Sequence, residues 1–288
     1  MRLFCLAGRY FVNIRFACIL MLAFLTMPAA AEDVTRDVLQ SDNRSSAYAE
    51  IGFGLAAGSL PLVGFNERSI EESDDVFLIL DGSLEGRIQY KGFFAEVIED
   101  SFSNITLGYS LFDNDRGNLE IIATSLFFPL EYSRIQGLES IEDRESDFDL
   151  GLRGSYFFND SLLQLELVRD VARSHDGFIG AVHIGQQKQF LNWNLFALAG
   201  LRYFSDNVID HILGVSADEA TATIPEYRAK AGVMPSLQLG VILPISEKWT
   251  FYTKAEYARF PDSVSKSPLA QGNEMFLGRM GFNYLIYN

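Results

Sequence analysis

The sequence predicts an all-β chain that closes into a transmembrane antiparallel β-barrel of about twelve strands, and three observations carry that expectation. Long segments alternate apolar and polar side chains with a period of two. The connections between them alternate short and long. Aromatic residues gather at both ends of the segments, as in the interfacial girdles of an outer-membrane-type barrel.

Composition supports this reading and excludes several others. Of 288 residues, 48% are hydrophobic and 21% charged, with 24 Phe and 12 Tyr, which is not the composition of a disordered chain. Beyond Glu32 no apolar run approaches the roughly eighteen residues of a membrane-spanning helix. A formal net charge of −15 has the wrong sign for a phosphate-neutralising surface, so no nucleic-acid partner is expected. The two cysteines, Cys5 and Cys18, lie at the very start, which leaves no disulfide framework and no thiolate metal site in an exported chain.

Taken in order, residues 1–31 read as a cleavable export signal. Arg2, Arg9 and Arg15 precede an apolar run from Phe16 to Leu25, and Ala29, Ala30 and Ala31 follow before Glu32. The apolar run is half the roughly twenty residues that a spanning helix needs. Cys18 follows Arg15, Phe16 and Ala17 rather than aliphatic and small residues, so lipidation is not expected. Residues 32–46 form a polar periplasmic segment, and 47–288 the barrel.

Strands are expected near 48–56, 77–90, 92–98, 104–112, 118–128, 146–158, 161–171, 177–188, 192–204, 227–243, 248–259 and 274–287. In 77–90, Leu78, Leu80, Leu84, Ile88 and Tyr90 share one parity, while Asp81, Ser83, Glu85, Arg87 and Gln89 share the other. The pattern returns in 147–158, where Phe148, Leu150, Leu152 and Tyr156 alternate with Asp147, Asp149, Arg153 and Ser155. It returns again in 228–243, with Val233, Leu237, Leu239 and Val241 interleaved with Met234, Ser236 and Gln238. Tight connections fall at Lys91-Gly92, Asp113 to Gly117, Asn159-Asp160, 189–191 and 244–247, and most of the intervening ones are long. An even strand number with this sorting puts short turns and both chain ends in the periplasm and long loops outside the cell. Tyr90, Phe93, Phe158, Phe190, Trp193, Trp249 and Phe251 lie beside the turns, and Tyr203, Phe204, Tyr227, Tyr257 and Phe260 at the far ends.

Charged side chains on the polar parity are expected to face the lumen. Asp81, Glu85, Arg87, Asp149, Arg153, Arg228, Lys230 and Arg279 carry both signs and can neutralise one another across a modest bore. No catalytic residue, metal ligand or cofactor is expected. None of His175, His183 and His211 stands in the His-x-Ser arrangement of an outer-membrane esterase, and Asp113 to Gly117 lacks the later ligands of a calcium loop and reads as a hairpin turn. The acidic residues of 57–76 (Glu67, Glu71, Glu72, Asp74, Asp75) and 129–146 (Glu131, Glu139, Glu142, Asp143, Glu145) read as solvated loop surface facing lipopolysaccharide. The alternative for them is divalent-cation bridging to lipopolysaccharide phosphates.

The last third carries a more specific signal: Tyr203-Phe204-Ser205-Asp206, Gly214-Val215-Ser216, Glu219-Ala220, Tyr227-Arg228-Ala229-Lys230-Ala231-Gly232, Asp262-Ser263 and Ser267-Pro268-Leu269. This succession resembles that of the MipA/OmpV family. The resemblance implies a non-enzymatic scaffold in the Gram-negative outer membrane that holds a lytic transglycosylase and a bifunctional murein synthase together. On that reading partners dock on the periplasmic turns, where Lys91, Arg116, Lys188 and Lys248 form a basic set. A small-solute pore or transporter acting through the lumen, or a surface adhesin, is the competing reading.

Cleavage is predicted after Ala31, because Ala29 and Ala31 supply the small residues that signal peptidase reads. N-terminal sequencing of the membrane-bound protein is expected to begin Glu32-Asp33, and a retained Met1 would refute the signal.

Overall fold

The computed structural model describes residues 47–63, 77–97, 105–125 and 130–287. The export signal 1–31, the polar segment 32–46 and the acidic residues of 67–75 lie outside the described residues.

Twelve antiparallel strands close into one barrel. They are β1 Ala47–Ser59, β2 Phe77–Tyr90, β3 Phe93–Val97, β4 Ile105–Asn114, β5 Gly117–Ser125, β6 Asp149–Phe158, β7 Ser161–Asp170, β8 Phe178–Phe190, β9 Trp193–Phe204, β10 Gly232–Pro244, β11 Trp249–Arg259 and β12 Glu274–Tyr287. Each strand pairs with its sequence neighbours, and β1 pairs with β12, Phe53 opposite Phe282 and Ala57 opposite Gly278. Closure gives every strand two partners, the only arrangement in which a sheet can cross hydrocarbon without unpaired backbone groups.

Alternation sorts the side chains as the sequence predicts. Leu80, Leu84, Ile88, Leu165, Leu167, Leu237 and Leu239 point outward and are exposed, Leu80 at 78%. A belt of this kind is stable only against lipid. Glu85, Gln89, Glu96, Glu120, Arg153, Arg202 and Gln238 point inward and are buried.

The two ends differ. At the turn end, β2 and β3 are joined by Lys91 and Gly92, both with positive φ (51° and 88°), the geometry of the tightest hairpins. Added bulk at Gly92 would also press within 3.0 Å of the Tyr109 ring. The Asn114 side chain accepts the Arg116 and Gly117 amides to close the β4–β5 hairpin. Aromatics surround this end: Phe93 packs on Tyr109 with ring centroids 4.8 Å apart, and Trp249 on Tyr284 at 4.9 Å. At the loop end, Phe178 and Tyr203 form an outward pair at 5.5 Å.

Three expected girdle residues take another place. Phe204 has inward parity and is buried, and Tyr227 and Phe260 pack against an interior cluster at the loop end. The expected start of β10 is also corrected: the strand begins at Gly232 rather than 227. Residues 227–231 keep the period of two, but their backbone groups bond elsewhere. The Tyr227 amide and carbonyl pair with Val215, and the Ala229 amide donates to Asp210 Oδ1 at 2.7 Å. Arg228 and Lys230 are consequently not lumen residues; both are exposed at the loop end, Arg228 with its nearest acid, Glu226, 3.9 Å away.

Leu239, in the middle of β10 and flanked by Ala197 and Ala255, tests the lipid-facing parity. Leu239→Lys is expected to cost about 2–4 kcal/mol in folding into bilayers, whereas a charge near either strand end should cost about 0–1. Urea titration of protein in lipid vesicles checks the difference.

Candidate functional site

Three regions could carry function: the lumen, the loop-end mouth and the turn end. In the lumen, Arg87 from β2, Glu96 from β3, Glu120 from β5 and Arg153 from β6 form a closed ring of ion pairs. Arg87 donates to Glu96 at 2.7 Å and to Glu120 at 2.9 Å, and Arg153 donates to the same two carboxylates at 2.9 and 2.8 Å. Each acid thus meets two guanidinium groups, and the four charges sum to zero. Phe94 is buried beneath them, with the Arg87 guanidinium 4.2 Å and the Arg153 guanidinium 5.6 Å from its ring centre. The ring has room because residue 108 is glycine, where any side chain would stand 2.3 Å from Phe94 Cζ.

Further charges line the lumen beside the ring and around the rest of the wall. Lys254 Nζ lies 3.8 Å from Glu85, and Arg279 Nε 4.0 Å from Asp81. Arg202 is within electrostatic reach of Glu166 and Glu256. Of the charges expected inside, the structure therefore places Asp81, Glu85, Arg87, Arg153 and Arg279 along the lumen and Asp149 at its outer lip, where β6 begins. Glu96 and Glu120, which complete the ring, are not singled out by the sequence. Glu96 lies on a five-residue strand too short to display a period, although its two-residue offset from Phe94 assigns the inward parity once β3 is recognised.

The loop-end mouth is covered by a packed cap. Helix α1, Asp206–Leu213, turns Val208, Ile209 and Leu213 into the barrel, where they join Ile122, Val168, Ile179, Phe204, Met234 and Met275 in one buried cluster. Polar contacts lock the cap. Tyr132 Oη donates to the Ile212 carbonyl at 2.9 Å, Ser267 Oγ to the Leu213 carbonyl at 2.6 Å, and Tyr227 Oη to the Ser263 carbonyl. Ser216 and Glu219 cap each other reciprocally: the Ser216 amide donates to Glu219 Oε2 at 2.7 Å, and the Glu219 amide to Ser216 Oγ at 3.3 Å.

Glu219 also takes the Glu142 amide and the Arg144 guanidinium, 2.9 and 2.8 Å away, and Arg144 reaches the Gly214 carbonyl at 3.0 Å. Loops 130–148 and 205–231 are thereby cross-linked. Burial pushes the Glu219 carboxyl up, but Arg144 and the Ser216 and Glu142 amides outweigh it and hold the group at about 2. Burial pushes the Tyr132 hydroxyl up to about 12, against the opposing pull of Arg144. The acids of loop 130–148 are more ordered than a solvated surface requires. Asp143 accepts the amide and hydroxyl of Ser133, and Glu139 the Gly137 amide; these bonds hold both carboxyls below their usual range.

The turn end carries Lys91, Arg116, Lys188 and Lys248, all exposed. Lys91 Nζ lies 5.2 Å from the Tyr90 ring centre and Lys248 Nζ 5.8 Å from that of Tyr284, so the aromatic girdle holds both. Lys188 is in β8 opposite Leu195 rather than in a turn, on the outward parity. Among the described residues, one set of metal-type donors converges: Asp147, Asp149 and His175.

The Glu219 pairing makes the cap acid-sensitive. A carboxyl depressed from 4.5 to about 2 contributes stability that is fully present above 4.5 and is lost as pH falls from there towards 2, on the order of 3 kcal/mol in all. Glu219→Gln should therefore loosen residues 205–231 at pH 7 and match the unaltered protein near pH 2. Amide exchange, corrected for intrinsic rates, checks both limits.

Comparison with known proteins shows the family of the chain. A family model for MltA-interacting protein MipA matches residues 53–286. The MltA-interacting protein of Escherichia coli (strain K12) is 25% identical over 253 residues, 86% of this chain and 95% of that protein. Outer membrane protein OmpV of Vibrio cholerae serotype O1 is 22% identical over 173 residues, 59% of this chain and 67% of that protein. Among solved structures, the translocator domain of autotransporter NalP from Neisseria meningitidis is similar with a TM-score of 0.44 and 14% identity, covering 84% of this chain and 90% of that one. Closed strands, a lipid-facing belt and a match over nearly the whole barrel together assign the chain to the MipA family of outer-membrane β-barrels.

Proposed function

We propose that this protein is a non-enzymatic anchor in the outer membrane that holds murein-synthesising and lytic enzymes against its periplasmic turn end. The observation that carries the reading is the contrast between its two sides. The lumen is crossed by a neutral ring of buried ion pairs, and its outer mouth is roofed by a packed cap. Neither feature favours passage of solute. The turn end instead offers an exposed basic rim on a rigid frame, and β1 starts and β12 ends on that side. The printed name of the E. coli relative, MltA-interacting protein, supports a lytic enzyme as one occupant. The second occupant, a bifunctional murein synthase, rests on the family resemblance. The export signal and the periplasmic segment 32–46 complete the proposal.

Rim charges act mainly on encounter rate and on its dependence on salt. Reversing Lys91, Arg116, Lys188 and Lys248 together to Glu is expected to slow capture of the lytic enzyme roughly tenfold or more at low salt, with the loss shrinking as salt rises. Heat-dependent gel mobility should show an intact barrel. Surface plasmon resonance on detergent-solubilised protein measures the rates. Unchanged capture, combined with large steady single-channel steps in a planar bilayer, would replace the scaffold with a pore.

A further inference from the structure

At the outer lip of the barrel, four ionisable side chains meet in a space that solvent does not reach. Asp147 and Asp149 stand two residues apart where the chain enters β6, so both face inward. His175, from the 171–177 connection, places Nε2 3.6 Å from Asp147 Oδ2 and 3.8 Å from Asp149 Oδ1, and all three side chains are completely buried. Asp170, at the end of β7, lies behind the ring, with Oδ2 3.9 Å from Nδ1.

The three acids are not equally provided for. Asp170 accepts the amides of Ala172, Arg173, His175 and Asp176, and Asp147 Oδ1 accepts the Ser125 hydroxyl at 3.0 Å. Asp149 is 0% exposed, and neither of its oxygens has a hydrogen-bond partner. His175 Nε2 has none either and points into the same space. A buried carboxyl group without donors, converging with two more carboxyl groups on one imidazole, is a set of oxygen and nitrogen ligands that a cation would complete.

We propose that Asp147, Asp149 and His175 bind one zinc ion. Zinc takes imidazole nitrogen and carboxylate oxygen at about 2.0–2.2 Å in tetrahedral geometry, which spaces two ligand atoms about 3.4 Å apart. The two observed nitrogen-to-oxygen separations exceed that by only a few tenths of an ångström, and the three ligand atoms lie within 4.8 Å of one another. The imidazole selects zinc over calcium and magnesium, which prefer oxygen alone. Water takes the remaining position. Asp170 stands where a second carboxylate orients the ring of a metal-bound histidine.

Binding changes the tautomer. As the side chains stand, the Gly177 amide donates to Nδ1 at 2.9 Å, so a neutral ring carries its proton on Nε2, facing the aspartates. With zinc on Nε2 the proton moves to Nδ1, and the ring turns from the Gly177 amide so that Asp170 Oδ2 accepts it. The ring keeps one proton throughout. A cavity of about 590 Å³ at the loop end, lined by Ser174 and His211, lies beside the site, with the His211 ring 5.8 Å from that of His175. Zinc here would staple the start of β6 to the β7–β8 connection beneath the cap.

The experiment uses the whole exported chain, folded in detergent, stripped with a chelator and titrated with zinc chloride. One zinc per chain is expected, with affinity falling more than about a hundredfold in Asp149→Asn and in His175→Gln, and about 10–100-fold in Asp170→Asn. Heat-dependent gel mobility should be unchanged in each. Cobalt chloride added to the unaltered chain should give the intense visible absorption of tetrahedral cobalt, a readout that needs no variant to fold. A hexaaqua-like cobalt spectrum, zinc uptake equal in the Asp149→Asn/His175→Gln double variant, or tighter binding of calcium than of zinc would overturn the proposal.

Discussion

Everything in this molecule follows from the rule that no backbone amide or carbonyl can be left unpaired inside hydrocarbon. The pairing of β1 with β12 satisfies that rule, and the other features are its consequences. A closed sheet has an inside and an outside, so the two-residue period becomes a strict sorting of apolar from polar side chains. Twelve strands enclose a bore wide enough to admit long charged side chains. The charges admitted must then meet each other, which Arg87, Glu96, Glu120 and Arg153 do in a ring that no two adjacent strands could make alone.

Such a ring is better understood as a specifier than as a source of stability. Desolvating four charges offsets much of what their attraction returns, whereas removing any one of them strands its partners in a buried site. The ring joins β2, β3, β5 and β6, so a slip of register between any adjacent pair in that arc would break it. Short β3, with only five residues of ladder, has most to gain from this, and it contributes both Glu96 and the Phe94 ring on which the arginines rest.

Strand number, parity and the sorting of connections are legible in the sequence because each is a local pattern repeated many times. The features that go unread are those in which a local pattern serves a distant partner. Tyr227 and Ala229 alternate as a strand would, yet Val215 and Asp210 take their hydrogen bonds. Glu142 and Arg144 have the look of a charged loop, and nothing near them in the chain announces Glu219, some 75 residues away. The residues that carry the family resemblance show the same thing from the other side. Ser205, Gly214, Val215, Ser216, Glu219, Tyr227, Ser263 and Ser267 are cap residues almost to a member, joined to one another, to helix α1, to loop 130–148 or, for Ser205, to the start of β8. The motif is legible as a motif; its meaning, a roof over the lumen, requires the fold. Turn-end Lys91 and Lys248 belong to no such web; their contacts are with the Tyr90 and Tyr284 rings beside them.

The seam between the first and last strands has a consequence in time. Glu50 and Asn283 meet across it although 233 positions separate them along the chain. The amino-terminal strand must therefore wait, with one edge open, until the final strand is available to pair with it. An open edge of this kind invites pairing with any neighbouring strand, including one from another nascent copy. Maturation of this protein is thus a race between its own carboxy-terminal segment and every competitor for the same edge.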